Sequence, residues 1–238
     1  MDIRTDTRAP RSVSPAASRR PAHAADPSTR VLVTAGIVAG PLFVVVGLVQ
    51  VLTREGFDLT RHPLSLLALG DLGWIQIANF IVAGVLSIAF AIGFARAVPS
   101  GAASRWAPWL LGLFGAGLVV GGAFPADPGL GFPPGTPEGI PSTLTPNGLV
   151  HAFAPPVAFL SLIGACFVVA RRLGRDGRRT AAICTRSLAV VCFVLVLPMG
   201  PSTSVQLFLA IALAFGWQVW LAWSLLADRF GAVSASTR

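Results

Sequence analysis

Six apolar stretches, each long enough to cross a lipid bilayer as a helix, occupy most of this 238-residue chain. They run over Val31–Leu52, Trp74–Ala95, Trp106–Phe124, Asn147–Ala170, Ala182–Met199 and Ser204–Ala227. A hydrocarbon core about 30 Å thick takes roughly 20 residues of helix. Inside it every backbone N–H and C=O must be satisfied within the protein, and a helix does this along its own length. The expected fold is therefore all-α, a six-transmembrane-helix bundle. Composition agrees: 12% of the residues are charged and 54% hydrophobic, with a mean hydropathy of +0.72, where soluble domains carry about a quarter charged residues. The organisation read from this pattern is a disordered tail over residues 1–28, rich in Arg, Pro, Ala and Ser, a membrane domain over 29–228, and a short tail over 229–238.

The formal net charge of +8 is distributed in a way that speaks of topology. All eighteen basic residues are Arg and Lys is absent, as a GC-rich bacterial genome would give. Six arginines precede the first stretch, and Arg171, Arg172, Arg175, Arg178 and Arg179 lie between the fourth and fifth. Cytoplasmic segments are enriched in basic residues. With both termini placed in the cytoplasm, fifteen arginines fall inside and two, Arg54 and Arg61, in the outer loops. The expectation is a multi-pass protein of the cytoplasmic membrane whose partner is the lipid bilayer. Nucleic acid is not an expected partner, because topology and anionic lipid account for the basic clusters. Cys166, Cys184 and Cys192 fall in the fourth and fifth stretches, where thiols pack as small apolar groups.

Between the stretches, two outer loops stand out. In Thr53–Gly73, Pro63 suits the first turn of a short interfacial helix that buries Leu64, Leu67 and Leu66. Pro125–Pro146 is dense in proline and glycine and should form ordered turns over the bundle. The connection between the last two stretches is very short, so those helices should be antiparallel neighbours. Gly36 and Gly40, and Gly117 and Gly121, have the spacing that lets helices approach closely in lipid. Pro41 and the pair Pro155-Pro156 should kink or break their helices.

Polar residues of the stretches collect near the outer ends: Gln50, Gln76, Asn79, Asn147, His151 and Gln206. The outer loops add Asp58, His62, Ser65, Asp71, Asp127 and Glu138. His62, Asp127 and His151 lead as catalytic groups or metal ligands, with a divalent metal the suggested cofactor; Asp58, Asp71, Gln76 and Asn79 follow as ligand-binding groups. No zinc-type spacing joins the histidines. Three readings stand: a hydrolase or transferase at the outer leaflet, a small-solute transporter, or residues that cap helices and bond loop backbone. Acidic residues are absent from midplane positions, which counts against an ion-driven transporter. Arg186 should snorkel to the inner interface, and Gln218 is the polar residue of the inner half of the last stretch.

Several blocks together resemble the bacterial and archaeal membrane family catalogued as domain-of-unknown-function 998. They are Pro41-Leu42-Phe43, Arg61-His62-Pro63-Leu64-Ser65-Leu66-Leu67, Gly73-Trp74-Ile75-Gln76, Asn79-Phe80, Phe124-Pro125-Ala126-Asp127-Pro128, and Gly148 followed by His151. The likeness covers about Val31 to Ala227. It implies a six-helix integral membrane protein, supplies no reaction, and places the shared positions on the outer loops and outer helix ends.

Overall fold

The computed structural model describes residues 26–98, 101–198 and 203–235. They form six α-helices: α1 Pro27–Thr53, α2 Gly73–Ala97, α3 Ala102–Ala123, α4 Pro146–Arg175, α5 Arg179–Val196 and α6 Thr203–Ala235, with a short 3-10 helix at Leu64–Ala68. All six are long and apolar enough to cross a membrane, and the chain is a multi-pass membrane protein. Most of the tail expected over 1–28 lies outside the described residues, as do the end of the fifth stretch at Met199 and the connection that follows it. The helices overrun the apolar stretches with polar turns. α1 begins on Pro27 behind an Asp26 cap, whose carboxylate accepts the Ser28 N–H at 3.3 Å. α6 continues past residue 228 to Ala235.

Each helix packs against the next in sequence, and α6 returns to pack against α1, closing a ring. Side-chain bonds fix the alternation of directions. Arg96 at the end of α2 donates to Ser28 at the start of α1 (3.3 Å). Arg178, the cap of α5, pairs with Asp228 near the end of α6 at 3.0 Å. These groups lie at one end, which carries most of the arginines; the two long loops lie at the other, the loop end. The middle is packed with rings: Phe43 against Phe215 at 5.3 Å and Phe114 against Phe215 at 5.6 Å. Phe90, Phe94, Leu111 and Leu162 are buried with them. The outward faces are apolar as well, with Leu52 and Trp109 83% and 77% exposed, as lipid-facing positions require.

The prolines do not interrupt their helices: α1 runs through Pro41 and α4 through Pro155 and Pro156. The close approaches only partly follow the glycine spacing. Gly117 meets Ala158 of α4, but Gly36 and Gly40 receive the rings of Phe90 and Phe215 rather than a facing backbone. The tightest backbone approach between two of the six α-helices is between α2 and α3, where a Cβ on Gly84 would lie 2.6 Å from the Gly115 oxygen. Arg186 is exposed and reaches back toward Gly174 near the end of α4, as snorkelling requires.

Candidate functional site

The loop end begins with two loops locked into one roof. The chain turns after α1 because Asp58 organises it: its carboxylate accepts the Thr60 N–H (2.9 Å) and O–H (2.7 Å). Those bonds, the hydroxyl first, hold its carboxyl below the ordinary carboxylate range. The turn brings His62 back so that its Nδ1 accepts the Asp58 N–H at 2.9 Å, while Nε2 meets the Leu130 carbonyl of the second loop at 2.9 Å. An acceptor at Nδ1 and a carbonyl at Nε2 together assign a neutral ring with its proton on Nε2. His62 is buried, with ring centroids of Phe57 and Phe132 at 5.3 and 5.5 Å. Arg61 pairs with Glu138 across the loops, and the Arg61 carbonyl accepts from Ser204 of α6 at 3.0 Å. Arg54 donates to the carbonyls of Leu67 (3.2 Å) and Leu69 (2.6 Å), pinning the 3-10 helix. Burial lowers the Arg54 pKa from its ordinary value, and the charge of Asp71 opposes that shift. The short helix sits under the roof with Leu64, Leu66 and Leu67 buried, tucked into the bundle.

Asp127 begins the second loop and holds Thr145, the N-cap of α4. Its Oδ2 accepts the Thr145 N–H at 2.8 Å and its Oδ1 the Thr145 O–H at 2.5 Å, while Thr145 Oγ1 accepts the Gly148 N–H at 3.1 Å. A Cβ on Gly148 would collide with this carboxylate, so glycine is required there for space. One turn further, His151 is buried and points its Nδ1 at two carbonyls ending α3, Phe124 at 2.8 Å and Gly121 at 3.1 Å. Two carbonyls require Nδ1 to carry a proton, and in the neutral ring this makes Nε2 the lone-pair acceptor. Among the described residues no protein group bonds that nitrogen.

Gln50, Gln76 and Asn79 form a third, buried group. Gln50 and Asn79 both donate to Gln76 Oε1, at 2.7 and 3.2 Å, and Asn79 also donates to the Phe43 carbonyl at 3.1 Å. Gln50 Oε1, Gln76 Nε2 and Asn79 Oδ1 are buried without a protein partner. Two acceptors and one donor match one water, which can donate twice and accept once.

Between the 3-10 helix and the helices lies a cavity of about 90 Å³ lined by His151, Ser65, Phe43, Phe80, Phe159 and Phe208 among others. His151 is its ionisable lining residue. The lining is otherwise almost wholly apolar, and Phe43 and Phe80 place the amide group just behind its wall. The structure therefore separates the expected set. His62 and Asp127 are each committed to holding loops and a helix cap, Asp58 and Asp71 are exposed in the first loop, Gln76 and Asn79 are joined by Gln50, and His151 faces the cavity. Asn147, expected to share the face of His151, is exposed. Among the described residues no three His, Cys, Asp or Glu side chains come together to hold a metal. Ser65, expected among the polar residues of the outer loops, lines the cavity, whereas its aromatic walls were not anticipated; the spacing of Phe43 and Gln50, two turns apart on α1, was the available sign of an inward face.

Neither a curated protein nor a solved structure matches the chain. The family described as "Protein of unknown function (DUF998)" matches residues 37–227, a range that begins in α1, ends in α6 and contains every group just described, and this chain belongs to that family.

Proposed function

We propose that the loop end faces the extracytoplasmic side and that its cavity holds one amphiphile, a long-chain alcohol or other neutral hydroxyl-bearing lipid. The observation that carries this reading is His151. Its Nδ1–H is fixed on α3 carbonyls, and its Nε2 lone pair belongs to a buried residue lining an otherwise apolar cavity. A hydroxyl is the neutral group that donates to such an acceptor, and Ser65 lies in the same lining to receive or return a second bond. An ionised headgroup is disfavoured, because no charged side chain lines the cavity to offset its desolvation.

The binding reading is favoured over a hydrolase or transferase because His62 has both ring nitrogens engaged and Asp127 is spent on a helix cap. It is favoured over a transporter because the middle of the bundle is closed by packed phenylalanines. Gln218, the polar residue further along, is wholly buried and donates to the Gly36 carbonyl at 3.4 Å.

The test is photolabelling of the reconstituted protein with a diazirine-bearing long-chain alcohol and with the matching alkane. The alcohol is expected to label peptides of α4 and α6 well above the alkane, and His151→Phe, which keeps an aromatic ring without the acceptor, is expected to remove the difference. Equal labelling by both probes would mean a crevice filled by any lipid tail and would overturn the reading. Metal analysis of wild type beside a His62→Ala/His151→Ala variant is the companion measurement. A stoichiometric metal lost from a variant that still folds would replace the amphiphile with a metal centre.

A further inference from the structure

We propose that the arginine-rich end carries a headgroup site for an anionic phospholipid, between α3 and α4 and independent of the loop-end cavity. A cavity of about 220 Å³ opens there, lined by Ala103 and Trp106 of α3 and by Val168, Arg171, Arg172 and Arg175 of α4. The spacing on α4 explains the lining. Residues 168, 171, 172 and 175 recur at three and four, so one stripe of the helix presents an apolar turn followed by three guanidiniums. Arg171 and Arg175 are exposed and bond no carboxylate among the described residues. Arg172 has its Nε 3.3 Å from Asp176, which offsets part of its charge. A fourth cation, Arg105, lies over the Trp106 ring with its guanidinium carbon 5.3 Å from the centroid.

The chemistry of the rim selects the ligand. Guanidiniums grip phosphate oxygens through paired N–H donors. A zwitterionic headgroup would bring its ammonium against the same cations, so a headgroup of net negative charge fits better. The walls select a lipid over a soluble phosphate. Beyond the rim the lining turns apolar at Trp106 and Val168, and the α3 face continues through exposed Trp109 to exposed Leu113. A phosphate on the rim would thus have its acyl chains running along a hydrophobic track into the bilayer.

The experiment uses full-length protein reconstituted with phosphatidylglycerol diluted in phosphatidylcholine, followed by native mass spectrometry of the lipids retained. Wild type is expected to keep one phosphatidylglycerol in preference to phosphatidylcholine. Arg171→Gln/Arg175→Gln should lose that preference by at least about tenfold. Arg179→Gln/Arg186→Gln, which removes the same charge outside the cavity, should keep it. Val168→Phe changes no charge but fills the cavity, and is expected to lose the lipid too; it keeps the test decisive should the arginine variant fail to fold. Equal loss in both arginine variants, no preference in wild type, or full retention by Val168→Phe would each overturn the site. Displacement of the lipid by millimolar inorganic phosphate would overturn the lipid assignment in favour of a soluble phosphate.

Discussion

His62 illustrates how a residue type that suggests chemistry can be committed to architecture. Its two nitrogens span two loops whose contact residues are 68 positions apart, one bond to the Asp58 N–H and one to the Leu130 carbonyl. Removing the ring in His62→Ala strands both backbone groups and leaves a void between Phe57 and Phe132, a loss of about 2–4 kcal/mol. His62→Asn keeps an acceptor close to the Nδ1 position and His62→Gln keeps a donor close to Nε2, so each should lose less than alanine. Thermal melts of the three variants check the order, and limited proteolysis should show cleavage of the loops before the helices. This role was one of the three readings open beforehand, and the sequence alone could not choose among them. The sequence marks His62 and Asp127 as polar groups near the outer surface, and a metal ligand and a backbone anchor look identical in one dimension. What separates them is the identity of the partner, a carbonyl in one case and a threonine at a helix start in the other. His151 lies in the second turn of α4: sequence position fixes how far along a helix a side chain sits, whereas the tautomer depends on which helix end it meets.

Among the helices, spans were legible to within a turn or two, because lipid imposes a length and leaves little else to satisfy. Helix contacts were less so. Small-residue spacing pointed to Gly36/Gly40 and Gly117/Gly121, yet the tightest backbone crossing uses single glycines, Gly84 and Gly115, neither with a small residue four positions on that would announce it. Two helices that meet at one point need only one gap each. Gly84→Ala would set a Cβ against the Gly115 oxygen and the Val119 side chain, both under 3 Å. The expected penalty is about 1–3 kcal/mol. Gly216→Ala, where a Cβ meets nothing within 4 Å, should be neutral or stabilising by up to about 1 kcal/mol from helix propensity. The opposite signs are readable as detergent melting temperatures of the two variants. Of the kink or break expected at proline, the break does not occur. In lipid, neighbouring helices and local adjustment absorb the lost N–H, so Pro41 and Pro155 are carried inside unbroken helices.

For the whole molecule, orientation is the property that gives every other statement its side. The proposal that the loop end lies outside rests on the arginine bias, and the two ends can be interrogated directly. In a chain with Cys184→Ser, Ser142→Cys on the exposed second loop should react with a membrane-impermeant maleimide on intact cells. Thr180→Cys, exposed at the start of α5, should react only after permeabilisation. The reverse pattern would place the His151 cavity in the inner leaflet and turn the arginine site outward.

The roof over the loop end has one more consequence. His62, the Arg61–Glu138 pair and the Ser204 bond tie two loops and a helix end together above the cavity, whose lining, apart from Pro63, Leu64 and Ser65, belongs to helices whose outer faces meet lipid. A molecule bound there would arrive sideways, through the acyl chains, and not from the water above. Its occupancy would then follow the number of amphiphiles per lipid in the surrounding leaflet, and two preparations with the same total dose but different amounts of membrane would fill the protein to different extents.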